Sequence, residues 1–184
     1  MGLLTFALNT TLTGCIDHRA GIADEALHDY FTALMDAAGA MLFGRNTYEL
    51  MEGAWPQVAR DENAERSMRE WAQKLEAKPK YVVSTTRKDF PWNNTTLIDG
   101  DLAQSITELK AKTPNGILVG APALSASLEK LGLIDEYRIT IHPVLVGHGP
   151  RLFDGIEGSK QLELVSMDRL KSGVITTHYR RKAS

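Results

Sequence analysis

Ala40-Met41-Leu42-Phe43-Gly44-Arg45-Asn46-Thr47-Tyr48-Glu49 is the stretch on which the reading of this chain turns. An aliphatic run stops at a glycine, and a helical pattern begins at once. Gly116-Ile117-Leu118-Val119-Gly120-Ala121-Pro122-Ala123 repeats the arrangement further on. A helix N-terminus exposes unpaired backbone N–H groups and the positive end of the macrodipole, which suits a phosphate. Glycine lets an anion approach the backbone where a Cβ would block it. Two such junctions on one sheet can grip a diphosphate from both sides, and that points to a dinucleotide cofactor.

Working outward, strand and helix patterns alternate with short connections, the signature of an α/β fold. Residues 3–9 read as a strand, followed by a turn-rich loop from Thr10 to Ala23. Asp24 is placed to cap a helix whose apolar stripe is Leu27, Phe31, Leu34 and Ala38. Residues 40–43 predict a strand and Arg45 to Glu52 a helix, with Trp55-Pro56 after it. The charged segment 61–76 carries one stripe, Met68, Trp71, Ala72 and Leu75, and predicts an amphipathic helix. Strands follow at 81–84 and 95–98, then a helix opened by Asp101 with Gln104 three residues on, the pattern of a capping box. Pro122 suits the first turn of the next helix, and Gly132 suits its end. From Glu136 onward the pattern alternates with period two, so the strands around 136–146, 161–167 and 173–180 are expected to form an antiparallel edge.

Composition narrows the classes. The chain of 184 residues is 43% apolar and 24% charged, with formal net charge −2 at pH 7. It reads as one globular domain over 1–184, with enough length for a substantial core. No basic cluster suggests nucleic acid, and no apolar run reaches the length of a membrane span. The single Cys15 cannot pair within the chain, which fits a reducing cytoplasm. The five histidines show no metal-ligand spacing, so no metal is expected. No nucleophile elbow or P-loop lysine argues for hydrolysis or phosphoryl transfer.

These motifs together resemble the reductase domain of the bifunctional riboflavin-biosynthesis deaminase/reductase, within the dihydrofolate reductase-like superfamily, as a small stand-alone member. Thr11-Leu12-Thr13-Gly14-Cys15-Ile16 is similar to that family's Ser-Leu-Asp-Gly-x-Ile loop. Gly44-Arg45-Asn46-Thr47-Tyr48-Glu49 is similar to its Gly-Arg-x-Thr-Tyr-Glu helix start, and Lys80–Ser84 and Trp92-Asn93-Asn94 follow in its order. The most specific part runs from Gly132–Glu136 through His142-Pro143-Val144-Leu145-Val146-Gly147-His148-Gly149 to Leu152-Phe153. Two positions depart from the pattern: Thr13 stands where the family has aspartate, and Gly120-Ala121-Pro122 where Gly-Gly is common.

The resemblance implies a three-layer fold, with helices on both faces of a mixed sheet: parallel βαβ units first and an antiparallel C-terminal edge last. It implies hydride transfer from NADPH to a small polar substrate, as 5-amino-6-(5-phosphoribosylamino)uracil reductase performs. Gly44, Arg45 and Thr47 would meet the cofactor phosphates from one junction. Gly120, Ala121, Pro122 and Leu124 would meet them from the other. Ser84, Thr85 and Thr86 would lie by the adenosine ribose, where their hydroxyls and Arg87 favour a 2′-phosphate and hence NADP. The backbone at Ala7 and Ile16 would face the nicotinamide. The substrate would lie across the first loop and the 142–153 segment, with His148 and Arg151 near it. Trp55 either walls that pocket or packs in the core. Thr13 cannot replace an aspartate as proton donor, so Asp17 is the nearby candidate, its other reading being an exposed loop carboxylate. His142 reads as a strand residue before Pro143.

A folate reductase is the competing enzyme, with Asp24 and Asp29 as the only acidic candidates for a pterin. A nucleotide-binding module without catalysis is the competing class, motivated by Thr13. A homodimer is expected, since a bare apolar strand edge invites pairing.

Overall fold

The computed structural model describes residues 1–182 apart from 155 and 157. Its elements run β1 (Leu4–Thr11), a 3₁₀ turn (His18–Ala20), α1 (Glu25–Ala37), β2 (Ala40–Gly44), α2 (Arg45–Arg60) and α3 (Arg66–Ala77). There follow β3 (Lys80–Val83), β4 (Thr95–Ile98), α4 (Leu102–Lys112), β5 (Ile117–Val119), α5 (Pro122–Lys130), β6 (Glu136–His142), β7 (Leu162–Arg169) and β8 (Ile175–Arg181). All eight strands share one sheet in the order β4-β3-β2-β5-β1-β6-β8-β7.

Alternation along each parallel strand divides its side chains between two cores. Leu42 of β2 packs with Phe6, Val119, Ile106 and Leu128 on the α4–α5 face. Met41 and Phe43 pack with Met35, Trp71, Leu75 and Val82 on the α1–α3 face. The result is a three-layer sandwich. The caps expected at Asp24 and Asp101 form: each carboxylate accepts from the N–H three residues on, at 2.8 Å. Gln104 does not complete a capping box, because its amide donates to Glu108 instead.

Two expectations are corrected. The helix placed at Arg45–Glu52 continues to Arg60, with Pro56 inside it, so Trp55 lies on the helix and not after it. Proline at position 56 removes one donor but leaves the amphipathic face of α2 intact, and packing against α3 holds that face. The next helix starts at Arg66, because 61–65 form the turn of this helical pair. The C-terminal strands form the expected antiparallel ladder β6-β8-β7, and β6 joins it to the rest of the sheet: it is antiparallel to β8, from Glu136↔Arg180 to Ile141↔Ile175, and parallel to β1, from Thr5↔Glu136 to Thr11↔His142. A strand entered through a crossover helix emerges parallel, and only the β7–β8 hairpin can reverse direction. β8 inserts between β6 and β7, which leaves β7 as the edge.

One buried cation locks the α3 layer to the sheet. Lys80 is fully buried at the start of β3, and its Nζ donates to the carbonyls of Leu75, Glu76 and Lys78 at 2.8, 3.0 and 2.9 Å. Those are orphan acceptors at the end of α3, where a cation also meets the negative end of the dipole. The ammonium lies 4.8 Å from the Trp92 ring centre, and burial pushes its pKa down to about 8. Lys80→Met keeps the apolar stem but strands the three carbonyls, and is expected to lower unfolding free energy by about 2–3 kcal/mol. A urea denaturation curve with an unchanged midpoint would show that the ammonium adds nothing.

Candidate functional site

The sheet has one place where consecutive connections diverge. β5 lies between β2 and β1, hydrogen-bonded in parallel to both, so the chain passes over it on the way from β1 to β2. In open α/β sheets such a switch point leaves a crevice at the carboxyl ends of the strands. Here a cavity of about 400 Å³ opens there, between the end of β1, the 15–23 loop, α1 and α2.

The two glycine junctions meet at this edge. α2 starts after Gly44 and α5 after Ala121, and neither helix has a side-chain cap on its first amides. α1 and α4, by contrast, are capped by Asp24 and Asp101. α3 also lacks a side-chain cap, but it begins in the turn after α2 and not at a strand end. A Cβ on Gly44 would lie 3.4 Å from Leu124 Cβ, and one on Gly120 would lie 3.3 Å from the Ala7 carbonyl oxygen. The two turns are therefore adjacent, and their glycines keep the backbone open. Ala121 is buried, so its methyl group points into the core and leaves that approach clear. The residues present thus fit a dinucleotide diphosphate.

Around this edge the sequence candidates are distributed unevenly. Arg45, in the first turn of α2, is 3.5 Å from Glu49, and Thr47 is half-buried beside it. Ser84 is buried and its Oγ accepts from the Arg87 N–H at 3.0 Å, while Thr85 and Thr86 are exposed. Arg87 is not a free cation: it forms a two-pronged pair with Glu52 at 2.9 and 3.1 Å and lies against the Tyr48 and Phe90 rings. It also reaches Glu49 at 3.7 Å, so Glu49 is loosely shared by Arg45 and Arg87.

The first loop is held by hydrogen bonds that occupy its candidate groups. Thr13 Oγ1 donates to the Val146 carbonyl at 2.8 Å and accepts from the Val146 N–H at 3.1 Å. Arg151 donates to the Thr13 carbonyl at 2.9 Å, and the Ile16 N–H donates to the Pro150 carbonyl. Asp17 caps the 3₁₀ turn and binds Arg19 through both oxygens at 3.0 and 2.6 Å. That hydrogen-bonded guanidinium holds the Asp17 carboxyl well below the usual carboxylate range, so it carries no proton to give. Asp17 lines the cavity; Thr13, His148 and Arg151 do not.

The expectation of a substrate across 142–153 is met by one residue. Of that segment only His142 lines the cavity, and it is more than a strand residue. Its Nδ1 accepts from the Ile22 N–H at 2.9 Å, which leaves the proton on Nε2, 3.1 Å from Asn9 Oδ1. Thr140 donates to the same oxygen. The remaining walls are mostly apolar and aromatic, with Ala7 at the floor, Phe31 from α1, Met51 and Trp55 from α2 and Trp71 from α3. Trp55 donates to Met51 Sδ and sits edge-on to Trp71, so it both packs and lines the cavity.

Sequence reasoning missed Asn9, His28, Trp71 and His142 as lining residues. A signal existed for two of them. His28 sits beside Leu27 and three residues before Phe31, on the inward side of α1, and Trp71 lies on the α3 stripe. Nothing local marks Asn9 or His142, which meet only through β1–β6 pairing. Among the described residues no group of His, Cys, Asp or Glu could hold a metal ion, and no helix is long and apolar enough to cross a membrane.

Comparison with known proteins accords with this geometry. The family model of the RibD C-terminal domain matches residues 9–176. "Uncharacterized protein YyaP" of Bacillus subtilis is 29% identical over 177 residues, 94% of this chain and 91% of that protein. A "Putative riboflavin biosynthesis protein" from Shewanella sp. PV-4 superposes with a TM-score of 0.74 at 26% identity, over 98% of this chain and 99% of that one. Dihydrofolate reductase from Enterococcus faecalis, solved with NADP(H), gives a TM-score of 0.64 at 14% identity, over 99% and 98% of the two chains. The three layers are those of the dihydrofolate reductase-like fold.

The His142 strut sets a pH dependence. Burial pushes its imidazole below the ordinary value of 6.5, with the Asp24 carboxylate opposing in part. Just below that value the unfolded chain binds a proton that the folded one refuses. Stability is therefore full above about pH 6.5 and falls as the pH drops. Burial shifts His178 the same way and adds a parallel slope. His142→Gln is expected to shrink the difference in denaturation midpoint between about pH 7.5 and pH 5 without abolishing it. An undiminished difference would assign the slope elsewhere.

Proposed function

The chain belongs to the RibD C-terminal domain family, and from that premise we propose that it is an NADPH-dependent oxidoreductase that transfers a hydride to a small polar substrate, resembling 5-amino-6-(5-phosphoribosylamino)uracil reductase. One observation carries the reading: two helix N-termini without side-chain caps begin side by side at the carboxyl ends of neighbouring parallel strands, over glycines. Unpaired amides and two converging dipoles suit a diphosphate.

In this reading Gly44, Arg45 and Thr47 hold the diphosphate from α2, and Gly120, Ala121, Pro122 and Leu124 shape its other side. Pro122 offers no N–H, so the donors on that side are its neighbours' amides. Ser84, Thr85 and Thr86 border the ribose. Glu49 is held at 3.5 Å by Arg45 and 3.7 Å by Arg87, and a 2′-phosphate, with its greater charge, would compete with it for the Arg87 guanidinium. NADPH supplies the hydride when bound. The backbone at Ala7 and Ile16 orients the nicotinamide, and the apolar walls exclude water. Thr13 and Asp17 act by anchoring the first loop, and the proton comes from water, since neither side chain has one to release.

The folate reading has less support. The Asp24 carboxylate is spent on capping α1, Asp29 is exposed, and neither lines the cavity. Assembly as a homodimer is supported by the edge strand β7, where Leu164, Val165 and Met167 are exposed. The bulge between Leu164 and Ser166 brings Val165 out of register with the alternation. A reducing compartment such as the cytoplasm suits the free thiol of Cys15.

NADPH at about a hundred times its Kd is expected to stabilise the fold by about 2.7 kcal/mol, and NADH at the same concentration by less. Equal stabilisation by both would remove the 2′-phosphate assignment, and NADPH bound but never oxidised across a carbonyl and imine panel would favour the binding module. Arg45→Ala should weaken NADPH binding about tenfold, the loss of one charge-assisted contact at a half-exposed site, with the melting temperature unchanged. A lower melting temperature with full affinity would make Arg45 structural. Light scattering should give twice the 20.3 kDa chain mass, and Met167→Lys should lower it toward one chain. A single-chain mass independent of concentration would exclude the dimer.

A further inference from the structure

Along β1, alternate side chains turn to opposite faces of the sheet. Phe6 and Leu8 pack in the α4–α5 core and Ala7 packs on the α1–α3 side, so Asn9, two residues on, shares the face of Ala7. That is the face on which the cavity of about 400 Å³ lies, and both residues line it. Asn9 is half-buried, and its side chain opens toward the cavity.

The hydrogen bonds around Asn9 fix which end of its carboxamide is which. The Ile22 N–H can only donate, so His142 Nδ1 accepts from it and the ring proton sits on Nε2. That Nε2–H faces one carboxamide atom of Asn9 at 3.1 Å, and the Thr140 hydroxyl donates to the same atom. An atom met by an imidazole N–H is the oxygen, which turns Nδ2 the other way. Nδ2 has no acceptor among the described residues, and it is not sealed from solvent.

Most other donors on the walls are spent within the protein. Thr10 donates to backbone carbonyls, Thr11 is bonded to Thr13, and Trp55 donates to Met51. No lysine or arginine lines the cavity, and Asp17 is a carboxylate already held by Arg19. The Asn9 amide is therefore a neutral donor set in place before any ligand arrives, and a preorganised donor loses little on binding.

We propose that the Asn9 carboxamide, oriented by His142 and Thr140, determines substrate specificity: its N–H donates to a carbonyl or imine acceptor on the molecule that occupies the cavity. The inference rests on the reductase reading and deepens it by naming the group that reads the substrate. Asn9 lies about 7 Å beyond Ala7 along β1, past the backbone assigned to the nicotinamide. The surrounding rings, Phe31, Trp55 and Trp71, suit an aromatic or otherwise flat body behind that acceptor.

The test is an NMR titration of the full chain, followed through the side-chain NH2 resonances of Asn9. The probes are acetophenone, whose carbonyl only accepts, and aniline, whose amine donates. Acetophenone is expected to move one of the two Asn9 NH2 protons downfield. Asn9→Asp keeps an oxygen for His142 and Thr140 but puts an acceptor where the donor was. It should weaken acetophenone about tenfold relative to aniline. Acetophenone bound with the Asn9 protons unmoved, an unchanged preference in Asn9→Asp, or no acetophenone binding up to its solubility limit would overturn the proposal. If Asn9→Asp does not fold, the proton shift decides alone. NADPH is titrated separately. Acetophenone read by Asn9 in a chain that binds no NADPH would sink the reductase reading and leave the Asn9 assignment standing, and NADPH binding with the Asn9 protons blind to acetophenone would do the reverse.

Discussion

The three-residue strand β5 is the constraint on which the rest of the molecule depends. Ile117, Leu118 and Val119 are all buried and hydrogen-bonded in parallel on both sides, to Leu4, Thr5 and Phe6 of β1 and to Ala40, Met41 and Leu42 of β2. A strand covered on both faces tolerates no register slip, since a shift by one residue would exchange the two cores. Because β5 arrives late in the chain and wedges between the first two strands, it brings its own helix start beside that of α2. The anion-binding edge is thus a product of strand order. Neither junction alone makes it.

The same topology separates two kinds of polar chemistry. On the α2–α5 edge, backbone amides are left unpaired and open, with arginines and glutamates close by. In the cavity, which Gly120 also lines, carboxylate and imidazole are committed to holding loops. Asp17 ties Arg19, Thr13 ties Val146, and His142 ties Ile22 to Asn9. These contacts place the 11–23 loop against the 142–151 segment and define a wall without leaving a free charge. What remains is a mostly apolar box walled by flat rings, with no lysine or arginine in its lining.

Opposite the site, a second set of buried charges does structural duty. Glu129 on α5 is almost fully buried and gathers Lys160, Arg181 and the Tyr137 hydroxyl. The network fastens the end of β8 to α5. Lys80 does the equivalent for α3. Both are buried ions with their hydrogen bonds complete, the condition under which burial of charge is tolerated. Their effect is to hold the helical layers in place on either side of the sheet.

By itself the sequence determined which segments are strands and helices, where most helices begin, and that two glycine junctions stand ready for an anion. Those are local properties: side-chain period, capping carboxylates at Asp24 and Asp101, and a proline in a first turn. The order and spacing of the motifs from Gly132 to Phe153 were enough to indicate the family. Tertiary structure alone decided the direction of β6, because alternation looks the same in parallel and antiparallel strands. It carried α2 past Pro56, because packing against α3 outweighs one missing donor. It also decided which residues line the cavity. Asn9 and His142 are 133 positions apart in the chain and meet only across the β1–β6 ladder, and Arg87, a free cation on paper, is claimed by Glu52 from α2. Partnership between distant side chains has no local signature, so the site's skeleton was legible and the state of its groups was not.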